Sequence, residues 1–184
     1  LGSNNAFSYK LANDINLATS LTNKSEMWKD NSASVDYSNY KGSWVPIGNS
    51  ALFSGDFDGQ NHTIDNLYIK RHVQNSNSSK LGLFGHIAGS SSDHSVIENL
   101  TLNNVNITGY AMVGGLAYRT QYAELKNITV KGDITGTEWT VGGIVAQLEN
   151  TSVVEVRSLA NITGQSEVGG LFATSLVSNI ARSY

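Results

Sequence analysis

Apolar and polar residues alternate in short runs along this chain, and in the second half the runs return at a nearly constant interval. Phe7 to Leu17 alternates, and so does the run Asn61-His62-Thr63-Ile64-Asp65-Asn66-Leu67-Tyr68-Ile69. Asn99-Leu100-Thr101-Leu102 and Asn127-Ile128-Thr129-Val130 repeat the pattern. A period of two predicts strands that turn Ile, Val and Leu inward and Thr, Asn and Lys outward. Val113-Gly114-Gly115-Leu116 returns as Val141-Gly142-Gly143-Ile144 and again as Val168-Gly169-Gly170-Leu171. A second marker keeps the same beat: Asn106-Ile107-Thr108-Gly109, Asp133-Ile134-Thr135-Gly136 and Asn161-Ile162-Thr163-Gly164. Two markers in phase establish a repeat.

A unit of about 27 residues, holding roughly three short strands and no helical periodicity, is one coil of a parallel β-helix. The expected fold is therefore all-β, a parallel β-helix (solenoid) built from such coils. Coils stack at the strand spacing of about 4.8 Å, and about seven would fit, a rod on the order of 30 Å long. The Gly pairs mark tight bends where a side chain would clash.

The chain divides by regularity. Leu1-Gly2-Ser3 matches the scar left by removal of an affinity tag. Residues 4–80 read as irregular N-terminal coils with a long polar loop at 18–43, after which Trp44-Val45-Pro46-Ile47-Gly48 resumes order. Residues 70–80 read as a second loop. Residues 81–184 read as regular coils, with Leu81-Gly82-Leu83-Phe84-Gly85 aligned to the later Val-Gly-Gly-Leu elements. A further coil begins near 165 without finishing, so more coils of a parent chain are expected.

Composition narrows the function. Asn, Ser, Thr and Gly fill 74 of 184 positions, and charged residues only 15%. A net charge of -3 offers no basic footprint for nucleic acid. The absence of Cys excludes disulfides and thiolate metal sites. No apolar run is long enough to cross a membrane as a helix.

The blocks Tyr9-Lys10-Leu11, Asn13-Asp14-Ile15, Trp44-Val45-Pro46-Ile47-Gly48, Phe53-Ser54-Gly55-Asp56-Phe57-Asp58-Gly59, His62-Thr63-Ile64 and Gly82-Leu83-Phe84-Gly85 together resemble the GLUG-motif family, from about Phe7 to the end of the chain. In the later copies Ala117, Ala146 and Ala173 stand where the family's final Gly is usual. Low charge, absent Cys and Asn/Ser-rich strands look most like the filamentous-haemagglutinin-like, high-molecular-weight adhesins of two-partner secretion. The resemblance implies a right-handed β-helix outside the cell or on the bacterial cell surface. It transfers no catalytic residue, because the motif is architectural. It also covers non-catalytic regions of immunoglobulin A-cleaving peptidases.

Few residues could carry chemistry. Asp56 and Asp58 lie two apart and share a strand face, the arrangement of an acid–base pair in a carbohydrate-active β-helix. Asp58-Gly59 is equally a turn pair inside the structural block. His62, His72, His86 and His94 lack metal-ligand spacing, and Asp14 with Asp36 or Asp93 makes no recognisable Ca²⁺ loop. No cofactor and no metal are expected, and the chain is read as non-enzymatic. Asn-x-Ser/Thr occurs at Asn23, Asn61, Asn77, Asn99, Asn106, Asn127, Asn150 and Asn161. Strand alternation alone generates such triplets at Asn99, Asn106, Asn127 and Asn161. Glycosylation is the other reading, and it gains from the adhesin resemblance.

The lead for binding is aromatic. Trp28, Tyr37, Tyr40 and Lys41 lie in the long loop, and Tyr118, Arg119 and Trp139 sit near bends of the coils. Rigid rings beside amides and cations suit sugar or protein recognition. The expected function is receptor binding by a segment of an extracellular bacterial adhesin, with a host-cell surface glycan or glycoprotein as partner. A structural spacer in a large secreted protein is the alternative.

Overall fold

A computed structural model describes residues 7–20, 43–48, 51–71 and 79–184 of the chain. The strands are β1 (Tyr9–Lys10), β2 (Ile15–Asn16), β3 (Phe57–Asp65), β4 (Tyr68–Lys70), β5 (Lys80–Leu81), β6 (Phe84–Ala88), β7 (Ser95–Gly109), β8 (Met112–Gly114), β9 (Ala117–Gly136), β10 (Thr140–Gly142), β11 (Val145–Thr163), β12 (Glu167–Gly169), β13 (Phe172–Leu176) and β14 (Asn179–Ala181). One helical turn, α1 (Leu17–Ser20), follows β2. Every strand pairing is parallel, in the orders β1-β3-β7-β9-β11-β13 and β12-β10-β8-β5. The result is a β-solenoid of about four turns with about 28 residues in each.

The repeat seen in the sequence is the stacking register. Ile97 pairs with Leu125, Leu125 with Val153 and Val153 with Ile180. Earlier steps are longer: Tyr9 pairs with Phe57 and Phe57 with Ile97. Those longer steps consume chain length without adding turns, so the expected seven coils become about four.

Alternation places the core as expected. Ile69, Ile107, Ile134 and Ile162 form one inward column, and the first three are fully buried. Tyr68, Asn106, Asp133 and Asn161 form the outward column beside it. Gly114, Gly142 and Gly169 occupy one repeated bend. A Cβ at Gly142 would lie 2.1 Å from the Val145 carbonyl oxygen, so only glycine fits.

Three expectations shift. The loop read at 18–43 is narrower, since α1 reaches Ser20 and Ser43 is buried, its hydroxyl accepting from the Lys70 N–H at 3.3 Å. The loop read at 70–80 is also narrower. Arg71 is buried and its guanidinium donates to the Trp44 carbonyl at 3.1 Å, while Lys80 opens β5. Packing against the core claims these polar residues despite their loop-like composition. Finally, the motif phase moves by one residue. Phe84 pairs with Ala117 and Ala117 with Val145, so Gly85 is beside Tyr118, Ala146 and Ala173. Tyr118, not Ala117, stands in the column of the final Gly.

At the C-terminal edge, β12, β13 and β14 pair on one side only among the described residues. Val168 and Ile180 continue buried columns yet are 46% and 47% exposed.

Candidate functional site

Tyr118 and Arg119, both singled out from the sequence, are neighbours on β9, and the register gathers others around them. Arg119 pairs with His86 on one side and Gln147 on the other. Tyr118 has Gly85 and Ala146 as its column neighbours, and this small-residue column leaves room for its ring. The His86 ring packs against it with centroids 5.7 Å apart, and the Lys80 ammonium lies 5.6 Å from the Tyr118 centroid. The Arg119 guanidinium donates to Glu149 Oε2, and Gln121 Nε2 donates to Glu149 Oε1 at 3.0 Å. The patch thus joins two rings, two cations, a carboxylate and an amide on one flank of three successive coils.

The electrostatics follow from this packing. Burial, reinforced by the positive charges of Arg119 and Lys80, pushes the His86 pKa down to about 4. The imidazole is therefore neutral at physiological pH. Its Nε2 is buried without a hydrogen-bond partner among the described residues. Burial raises the Tyr118 phenol above its ordinary value. The Arg119 hydrogen bond holds Glu149 below the usual carboxylate range. The ring faces, paired ions and amide are held in a fixed geometry, of a chemistry that suits sugar or protein contact.

Other sequence-derived candidates fall elsewhere. Trp139 stands on the turn between β9 and β10, 65% exposed. Trp28, Tyr37, Tyr40, Lys41, His72, Asp36, Asn23 and Asn77 lie outside the described residues. Asp56 and Asp58 do share a face, but their oxygens are engaged. Asp56 accepts from the Val96 N–H at 3.0 Å and from Ser8 Oγ at 3.1 Å. Asp58 accepts from the Gln60 N–H at 2.9 Å and Asn99 Nδ2 at 3.1 Å, bonds that hold it below the usual range. Asp14 accepts from the Thr63 N–H at 2.8 Å, with His62 Nδ1 at 3.0 Å, and is lowered for the same reason. No group of three or more His, Cys, Asp or Glu side chains converges on a metal-sized site among the described residues.

The Asn-x-Ser/Thr positions divide by backbone. Asn61, Asn99, Asn127 and Asn150 lie within β3, β7, β9 and β11 and face outward, but at corners with positive φ, at 63°, 54°, 49° and 44°. Asn tolerates this left-handed conformation better than most residues. Asn127 Nδ2 donates to Asn99 Oδ1 at 3.0 Å and to Asn61 Oδ1 at 3.2 Å, a ladder along the solenoid. Positive-φ residues also recur five positions apart, as Asn61 and Asn66, Asn99 and Asn104, Asn127 and Gly132. That spacing is present in the sequence and is the signal that would locate the corners. Asn106 and Asn161 are exposed on strands, with Asn161 donating to Asp133 at 2.9 Å.

Comparison with known proteins adds one relationship. The chain is 35% identical over 157 residues to Halomucin of Haloquadratum walsbyi, a match covering 83% of this chain and 2% of that protein. That relative is thus several thousand residues long, and the chain spans a small fraction of it. No protein-family profile matches the chain. No solved structure matches it.

Proposed function

We propose that this chain is a non-enzymatic rod segment of a large extracellular surface protein, of the GLUG-repeat adhesin type, and that it recognises glycan or glycoprotein on another cell. The observation that carries this reading is the flank where Tyr118, His86, Arg119, Gln121 and Glu149 meet. A parallel solenoid keeps such side chains in fixed register over several coils, and many weak contacts then sum through avidity. The size and name of the Halomucin relative support a surface rod. The half-exposed apolar columns at the C-terminal edge support stacking of further coils. Asn106 is the expected place for sugar if the parent protein is glycosylated, because its amide is exposed and serves no bond among the described residues.

The test is binding of the purified chain to epithelial cells before and after sialidase, with a Tyr118→Ala/Arg119→Gln variant as comparison. Alanine is safe at 118, since Ala146 and Ala173 occupy the same column. Saturable binding that the variant loses supports the reading. A folded chain with no saturable binding favours the spacer alternative, which the 2% share of a very long relative also favours.

A further inference from the structure

We propose that a groove at the Tyr122 corner is a binding site for a single neutral pyranose ring. The inference rests on the glycan-recognition reading and gives it a second, distinct location.

The chain turns at Tyr122, and the next coils turn at Asn150 and Val177, with φ of 49°, 44° and 48°. The register stacks these three corners, because Gln121 pairs with Glu149 and Glu149 with Leu176. Ser91 and His94, in the loop before β7, close one side of the groove. Ser152 and Asn179, paired on β11 and β14, close another. The groove is open to solvent along much of its length, and its volume is about 240 Å³. That is below the about 300–1,000 Å³ of pockets for drug-sized ligands, and it suits one sugar ring.

Three features point to a sugar. First, the groove has an aromatic wall, with the His94 and Tyr122 rings 6.2 Å apart at 48°. An aromatic face is apolar surface against which the C–H side of a pyranose packs. Second, the side chains of Ser91, Asn150, Ser152 and Asn179 have no hydrogen-bond partner among the described residues. They offer hydroxyl and amide groups for ring hydroxyls without breaking a bond of the fold. Third, no Asp, Glu, Lys or Arg among the described residues lines the groove. Glu124, 3.9 Å from His94, is already paired with Lys126. A carboxylate sugar would be desolvated there without a cation to meet it, so the site favours neutral saccharides.

The backbone supports a purpose for the ring. A bulky side chain in the left-handed region is an outlier, and of the two coils that follow one uses Asn150 and the next Val177 at the same corner. A tyrosine held there without joining the core is a strained surface position of the kind that accompanies binding.

The experiment is an ¹⁵N NMR titration of the whole chain with methyl α-mannopyranoside, methyl β-galactopyranoside and N-acetylneuraminic acid. The expected result is saturable shifts around Tyr122, Asn150, Ser152 and Asn179 with at least one neutral glycoside, and weaker effects with the acid. Tyr122→Asn should lower that affinity about tenfold at unchanged or higher melting temperature, since Asn suits the corner. Tyr122→Phe should keep affinity within about twofold, because the ring is retained. Shifts confined to the Tyr118–Arg119 flank would overturn the groove while leaving the glycan reading intact. Stronger binding of the acid, or indifference to Tyr122→Asn, would also overturn it. A folded chain unmoved by any of the three sugars would overturn the groove, and the cell-binding test then decides the wider reading by itself.

Discussion

Replacing Asn127 separates backbone from side chain at the corner ladder. Its φ of 49° lies in the left-handed region, and its amide donates at 3.0 Å and 3.2 Å to the amides of the coils beneath. Alanine suffers in both respects. The left-handed conformation costs a residue with a Cβ about 1–2 kcal/mol. The two partly exposed hydrogen bonds contribute about 0.5 kcal/mol each. Asn127→Ala should therefore lose about 2–3 kcal/mol. Glycine adopts the corner freely and loses mainly the bonds, so Asn127→Gly should lose about 1 kcal/mol. Urea titration followed by circular dichroism reads both. In a thermal scan the alanine variant should melt about 2–8 °C below the glycine variant. If glycine is as damaging as alanine, or worse, the positive-φ argument fails. If both variants are neutral, the ladder contributes nothing to stability.

Further predictions test the core, the bends and the flank. Leu125 is fully buried between Ile97 and Val153, so Leu125→Ala should lose about 3 kcal/mol in the same titration. Gly142→Ala forces a Cβ to within 2.1 Å of a backbone oxygen, and a loss of about 2 kcal/mol or more is expected; a neutral result would show that the bend yields. His86 should titrate near 4 by NMR instead of near 6.5. Its folded pKa is depressed, so below about 6.5 the unfolded chain binds a proton that the folded chain refuses, and stability falls progressively as pH drops from about 6.5 to 4. His86→Gln should flatten that part of the melting-temperature profile, and an unchanged slope would place the loss in other groups.

Much of the architecture is legible in the sequence because a solenoid writes its stacking register as a sequence period. Two markers in phase and a period-two alternation are enough to place Ile107, Ile134 and Ile162 in one column. The flank is partly legible. Tyr118 and Arg119 announce themselves by residue type, but His86 does not, since it pairs with Arg119 only through the longer step of an irregular coil. Alternation reads the Asn residues as outward strand positions, yet several are corners. It cannot distinguish the two, because a left-handed corner residue also points away from the core.

The parallel coil, its inward columns and its glycine bends all follow from local chemistry repeated at a nearly constant interval along the chain. Which surface residues meet depends on how the coils stack. Tyr118 gains an open face because Gly85 and Ala146 happen to flank it one coil away. The Tyr122 groove exists because corners on successive coils stack beside the loop that carries Ser91 and His94. Those neighbours are set by the register between coils and by insertions that shift it, and neither is contained in the chemistry of any one segment.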